Sequence, residues 1–161
     1  MNAKANTPGT AQLARAKMNF LLHPYDYEAA GDDQKGVAAA HALGQPPERV
    51  YKTLMVEIDG RPACAVIPVA QSLSMKKVAA CLGGKAAQMM PPDKAERLTG
   101  YRVGGISPFG QKRRVPTAID ASAQNQASIF INAGKRGLLL EIAPDDAARA
   151  LQAGFAALCA E

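Results

Sequence analysis

Lys52 has the surroundings in this chain that most demand a chemical explanation. It lies in the run Val50-Tyr51-Lys52-Thr53-Leu54-Met55-Val56-Glu57-Ile58. Period-two alternation puts Val50, Lys52, Leu54, Val56 and Ile58 on one strand face. The other four are aliphatic, so that face is expected to point inward. A lysine there is costly unless it has a partner or sits at the mouth of a cleft. In a cleft it can hold a carbonyl or phosphate oxygen, or act as a base once its pKa falls. A strand-end lysine whose stem runs along apolar surface to water accounts for the spacing equally well.

The second such feature is Gly100-Tyr101-Arg102-Val103-Gly104-Gly105-Ile106-Ser107-Pro108-Phe109-Gly110-Gln111-Lys112-Arg113-Arg114. Glycines let backbone N–H groups approach and converge on an anion or a carbonyl oxygen. The cations that close the segment supply charge for phosphates. A surface turn followed by a solvated charge run is the plainer explanation. Gly104-Gly105 fits neither GxGxxG nor a P-loop, and no GxSxG elbow surrounds Ser107, so nucleotide-hydrolase and serine-nucleophile readings are weak. Tyr25 and Tyr27 share one face of an early strand, where a tyrosine packs a substrate or donates a hydrogen bond, or simply rims a core. Asp120 and Glu141 fall near strand ends, and either is a candidate partner for Lys52 or Arg136.

The three cysteines, Cys64, Cys81 and Cys159, are odd in number and form no CxxC pair. That argues against a disulfide framework and a zinc knuckle. His23 and His41 have no ligand at metal-binding spacing, so neither a metal site nor a cofactor is expected. Net charge is +5, from 19 basic and 14 acidic residues. The cations cluster at Lys76-Lys77, Lys112-Arg113-Arg114 and Lys135-Arg136, which favours a polyanionic partner over even solubility charge. Aromatics make up 5% of the chain, too few for a base-stacking platform.

The elements that must position these groups read as follows. A chain of 161 residues suits a single domain over its whole length, with residues 1–9 as a flexible tail. No apolar run approaches the roughly 20 residues of a membrane span. No h-region marks a secretory signal. The expectation is a soluble, cytoplasmic protein without a membrane partner. Helices are expected at Thr10 to Met18, from an Asp33 cap through Ala42, from a Ser74 cap through Leu82, from the Pro91-Pro92-Asp93 opening to near Thr99-Gly100 and from Pro144 to Cys159. Strands are expected at Phe20 to Tyr27, Val50 to Ile58, Arg61 to Val69, Ala86 to Met90, Val115 to Asp120, Ser128 to Asn132 and Leu138 to Ile142, with Asp59-Gly60 as a hairpin turn. Hairpins outnumber strand–helix–strand units. The fold class is therefore α/β of the α+β kind, a mixed and mainly antiparallel sheet with helices outside it.

Three ordered blocks carry a resemblance. Tyr51-Lys52-Thr53-Leu54, then Gly100 to Lys112, then Gly134-Lys135-Arg136-Gly137-Leu138 resemble the YbaK/EbsC family of aminoacyl-tRNA deacylases. His23-Pro24-Tyr25-Asp26 is similar to the family's first-strand segment, and the likeness runs from Asn19 to the C-terminus. Within the family the chain is most similar to the YbaK type, which clears cysteine mischarged onto proline tRNA. The resemblance implies a barrel-like sheet ringed by helices and a cleft for the aminoacylated 3′ adenosine of tRNA. It implies Lys52, Gly104 and Gly105 as catalytic positions. Tyr25, Thr53, Ser107, Arg102, Lys112, Arg113 and Lys135 would contact substrate. An aspartate often follows the third block in such relatives, and Leu139 stands there in this chain.

The chemistry implied needs no protein nucleophile. The cysteinyl thiol attacks its own ester carbonyl, and the protein supplies positioning and oxyanion stabilisation. The expected activity is therefore deacylation of Cys-tRNA(Pro), and possible substrates extend to Cys-tRNA(Cys). Prolyl-tRNA synthetase is the expected partner. Two rivals are a water-using hydrolase of Ala-tRNA(Pro) or another aminoacyl-tRNA, and a non-catalytic module that binds tRNA or a synthetase.

Overall fold

A computed structural model describes residues 6–28 and 35–161. Among them are five helices and two sheets. The smaller sheet is antiparallel, in the order β1 (Leu21–Pro24), β7 (Leu138–Ile142), β6 (Ile129–Lys135). The larger runs β4 (Ala87–Met89), β2 (Tyr51–Ile58), β3 (Arg61–Pro68), β5 (Thr117–Asp120), β8 (Gly154–Ala156). The pairings β3–β5 and β5–β8 are parallel and the other four antiparallel, so the mixed, mainly antiparallel character stands.

The barrel-like closure does not. Among the described residues a single bridge, Val50 to Phe130, joins the two sheets. Beyond it β2 turns to pair residue for residue with β3, from Tyr51↔Pro68 to Ile58↔Arg61. On its side of the seam, β6 shifts register between Asn132 and Lys135 around Gly134, whose φ is 110°. The two sheets therefore stay separate and do not form one closed ladder.

Local signals place most elements where the sequence puts them. Asp59 and Gly60, at φ 50° and 82°, make the two-residue hairpin turn between β2 and β3. The Ser74 hydroxyl accepts from Lys77 N–H at 3.1 Å and starts α3 (Met75–Cys81). Gly100, at φ 82°, ends α4 (Pro92–Thr99). The Asp33 cap expected for α2 (Lys35–Ala42) lies outside the described residues.

Three expectations need correction. The helix α1 (Pro8–Arg15) begins inside the expected tail, because Thr7 and Thr10 form a reciprocal capping box and the Thr7 hydroxyl also donates to Ala133 O at 2.6 Å. Residues 1–5 lie outside the described ones. The C-terminal helix α5 (Pro144–Leu151) stops eight residues early. Gln152 turns left-handed at φ 52°, and the chain then pairs as β8 alongside β5. Phe155 and Leu158 reach the core from an extended segment, which helical spacing alone does not distinguish. Finally, β2 is buried on both faces. Tyr51 and Met55 join one core cluster with Phe109 and Ile119, while Val56 and Ile58 join another with Val78 and Leu158.

Asp120 ties this C-terminal segment to the sheet. Its carboxylate accepts from Ser122 N–H at 3.2 Å, Ser122 Oγ at 2.5 Å and Leu158 N–H at 2.9 Å. Burial alone would raise its pKa, but these hydrogen bonds hold it below the ordinary carboxylate value. The unfolded chain therefore binds the proton more readily, and the stabilisation present above about pH 4 is lost as pH falls through the depressed value. Asp120→Asn is expected to lower unfolding free energy at pH 7 by about 2 kcal/mol. It should also flatten the acid-side loss of stability, measured by denaturant titration from pH 7 to pH 3.

Candidate active site

The seam between the sheets opens into a cleft of about 210 Å³. Tyr25, Lys52, Thr53, Gly104, Asn132 and Leu139 are among its lining residues. The first half of β2 supplies the floor, for a backbone reason. Val50 O accepts from Val69 N–H on the β3 flank, and Met55 O accepts from Met90 N–H on the opposite flank. In an antiparallel ladder the direction alternates by residue, so the N–H and C=O of Thr53 point away from β3. On that side β4 pairs only with Val56, Glu57 and Ile58. The stretch after the Val50 bridge faces the cleft instead of a strand.

Lys52 is half-buried here, and no ion pair engages it among the described residues. Burial lowers its pKa, partly offset by the nearby Cys159 sulfur. Neither candidate acid reaches it. Asp120 is committed as above. Glu141 accepts from Ser128 Oγ at 2.5 Å, contacts His23 Nε2 at 2.9 Å and Arg49 Nη2 at 3.5 Å. A partly desolvated ammonium without a carboxylate is a ready holder of phosphate, ribose or carbonyl oxygen.

Beside it, Thr53 Oγ1 is buried with no hydrogen-bond partner among the described residues. Such a hydroxyl costs about 1–3 kcal/mol, and Thr53 is one of the residues that line the cleft. Tyr25 also lines the cleft. Burial, then the neighbouring Tyr27, raise its pKa against a hydrogen bond with the backbone of Gly137, so its phenol is a neutral O–H at pH 7.

The glycine loop forms the opposite wall. Val103, Gly104 and Ile106 line the cleft. Gly104 has φ 90°, and a Cβ there would fall 2.3 Å from Tyr27 Oη. Its carbonyl accepts from Asn132 Nδ2 at 3.3 Å, while no hydrogen bond engages its N–H among the described residues. The loop docks on the β6–β7 turn. Arg136 Nε donates to Val103 O at 2.8 Å and its guanidinium stacks on Tyr27 at 5.4 Å. Asn132 lines the cleft and Arg136 holds its loop, two roles that sequence reasoning did not assign. The flanking Gly134 and Gly137 were the available signal, since they mark a turn tight enough to pack against another loop.

Two expected contacts are redirected. Gly105 is buried and its N–H donates to Arg102 O at 2.8 Å, so that donor closes a turn. Ser107 is fully buried, and its hydroxyl accepts from Phe109 N–H at 3.1 Å, shaping the loop from within. Arg102, Lys112, Arg113 and Lys135 are exposed and lie outside the cleft lining. Leu139 is buried in the cleft wall, paired with His23 on β1 and Asn132 on β6. Among the described residues the lining carries no carboxylate, cysteine, histidine or serine.

A family model described as an aminoacyl-tRNA editing domain matches residues 34–150. A relative from Enterococcus faecalis, provisionally named Cys-tRNA(Pro)/Cys-tRNA(Cys) deacylase EbsC, is 38% identical over 122 residues, covering 75% of this chain and 74% of its own length. Proline–tRNA ligase of Nitratidesulfovibrio vulgaris is 28% identical over 93 residues, 58% of this chain but only 16% of the ligase. A solved structure described as a provisional trans-editing enzyme for prolyl-tRNA synthetase has the same fold, with a TM-score of 0.83 at 17% identity over 98% of this chain and 100% of that one.

The orphaned hydroxyl gives a two-sided prediction. Thr53→Val keeps the shape and removes the unpaired oxygen, so the free protein should gain about 1 kcal/mol by denaturant titration. Turnover of aminoacyl-tRNA should fall in the same variant.

Proposed function

We propose that this chain, which belongs to the aminoacyl-tRNA editing domain family, deacylates Cys-tRNA(Pro) in trans, with no nucleophile of its own. The observation that carries this reading is the composition of the cleft. Residues that carry a half-buried ammonium, an unpaired hydroxyl, a phenol and an uncommitted backbone N–H share one lining, without a cysteine, histidine, serine or carboxylate among the described lining residues.

Such a set can position and polarise an ester. In the proposed step the sulfur of the cysteinyl group bonds to its own ester carbonyl carbon. The bond from that carbon to the ribose oxygen breaks, and the proton leaving the thiol balances the one taken up by the ribose oxygen. The products are tRNA with a free hydroxyl and a cyclic cysteine thioester, which water then opens. Lys52 holds the terminal ribose or its phosphate. The Gly104 N–H meets the carbonyl oxygen as charge develops on it. The hydroxyls of Thr53 and Tyr25 orient the aminoacyl group. The exposed Arg102, Lys112, Arg113 and Lys135 attract the acceptor stem without reading sequence. Prolyl-tRNA synthetase is the proposed delivering partner, supported by the similarity to a segment of proline–tRNA ligases.

Leu139 favours a second reading. An apolar wall, where relatives of this type often carry an aspartate, suits a small aliphatic aminoacyl group such as alanine. That ester would need water as the nucleophile.

The deciding experiment compares Cys-tRNA(Pro) with Ala-tRNA(Pro), for the native chain and for Lys52→Ala. The expected result is loss of cysteine alone, slowed about 100-fold or more in the variant. Because Lys52 has no ion pair to lose, the variant should unfold at an unchanged or higher denaturant concentration. Cleavage of alanine instead moves the chain to the water-using reading, and cleavage of neither removes the catalytic one.

A further inference from the structure

The glycine loop has a second end. Two residues beyond the cleft wall, at Pro108, it borders another cavity, of about 420 Å³, lined by residues of α1, the loop, β5 and α5. Arg15 and Arg114 are both exposed on its rim. Its other polar side chains are committed to the framework. Gln12 Nε2 donates to Ala150 O at 2.9 Å and its Oε1 accepts from Gly110 N–H at 2.5 Å. Gln111 Nε2 donates to Ser107 O at 3.0 Å, and Thr117 Oγ1 donates to Val115 O at 3.1 Å. The loop packs closely on α1 at this cavity, since a Cβ on Gly110 would lie 2.3 Å from the backbone of Pro8.

The two guanidiniums differ from these groups. Neither has a hydrogen bond or ion pair among the described residues, and no carboxylate lines the cavity among those residues. A position in the last turn of α1 accounts for Arg15 through the helix dipole. It does not account for two cations on the rim of one cavity, neither of them ion-paired among the described residues. Gly104 and Gly110 are six residues apart, so the two openings lie within about 22 Å along the loop. A nucleic-acid strand presents a phosphate at every nucleotide across such a distance.

We infer that this second cavity is a phosphate-binding site, in which Arg15 and Arg114 hold the backbone of the same RNA whose aminoacylated end enters the cleft. The inference rests on the reading of the cleft as an aminoacyl-tRNA site. Guanidinium forks suit phosphate oxygens, and contacts of this kind position an RNA without reading its sequence.

The test is tRNA binding by fluorescence anisotropy across a salt series, for the native chain and Arg15→Gln/Arg114→Gln, beside deacylation of Cys-tRNA(Pro) and of a cysteinylated CCA trinucleotide. The double variant is expected to weaken tRNA binding about tenfold and to flatten the salt slope by about one to two. KM for the full tRNA should rise with kcat held, while kcat/KM for the trinucleotide changes less than twofold. Each single variant should show about half the slope change, which decides the matter if the double variant fails to fold. Unchanged affinity and slope overturn the inference. So does protection of the native chain by inorganic phosphate in thermal melts with tRNA binding unaffected by the substitutions, an outcome that assigns the cavity to a small anion. If the native chain cleaves neither substrate, the editing reading fails, and the anisotropy series still decides whether this cavity contacts RNA.

Discussion

The structure depends on how β2 changes neighbours. At Val50 the strand is bridged to Phe130 of the smaller sheet, and one residue later it belongs to the larger. From there to Met55 one flank is paired with β3 and the other is not covered by β4. An uncovered flank beside two packed cores is half-dry. That explains why a lysine at Lys52 loses solvent without gaining a partner, and why the hydroxyl of Thr53 is sealed without a bond. Just upstream, Arg49 donates to Ser128 Oγ at 2.5 Å and stacks on Phe130, while Ser128 and His23 share Glu141. This polar network joins the segment before β2 to β1, β6 and β7, so the seam is held from both sheets.

The glycine loop shows how one composition serves two purposes. Its glycines look like a cradle for a ligand, yet much of their necessity is internal. A side chain at Gly105 would meet Arg136 N at 2.8 Å, and one at Gly110 would meet Pro8. These close approaches let the loop lie flat against the β6–β7 turn and α1. Only Gly104 combines exposure to the cleft with an N–H that has no partner among the described residues. The same docking carries the loop from the cleft at one end to the arginine-rimmed cavity at the other.

Features that depend on a few consecutive residues were legible. The Asp59-Gly60 turn, the Ser74 cap and the Gly100 stop each act through local backbone geometry, and each appears where the sequence places it. The C-terminal helix was misjudged because its apolar spacing continues past Leu151. The competing interaction there is pairing of Gly154–Ala156 with β5, from a distant part of the chain. The single inward face expected for β2 failed for a related reason. Alternation identifies which residues share a face, but the helices and loops that cover the second face come from elsewhere.

Residue types and their order are enough to establish that a lysine interrupts an aliphatic strand face, that a glycine-rich segment ends in cations, and that three ordered blocks resemble one family. These are properties of residue type and order. Which of those groups meet is settled by long-range packing. It brought Lys52, Thr53, Gly104 and Tyr25 to one cleft, added Asn132 to the lining and Arg136 as a clamp on its loop, turned Ser107 and the Gly105 N–H inward, and left both candidate acids engaged elsewhere. The physical reason is that desolvation and hydrogen-bond satisfaction are set by neighbours far away in the chain, and no spacing rule reports who those neighbours are.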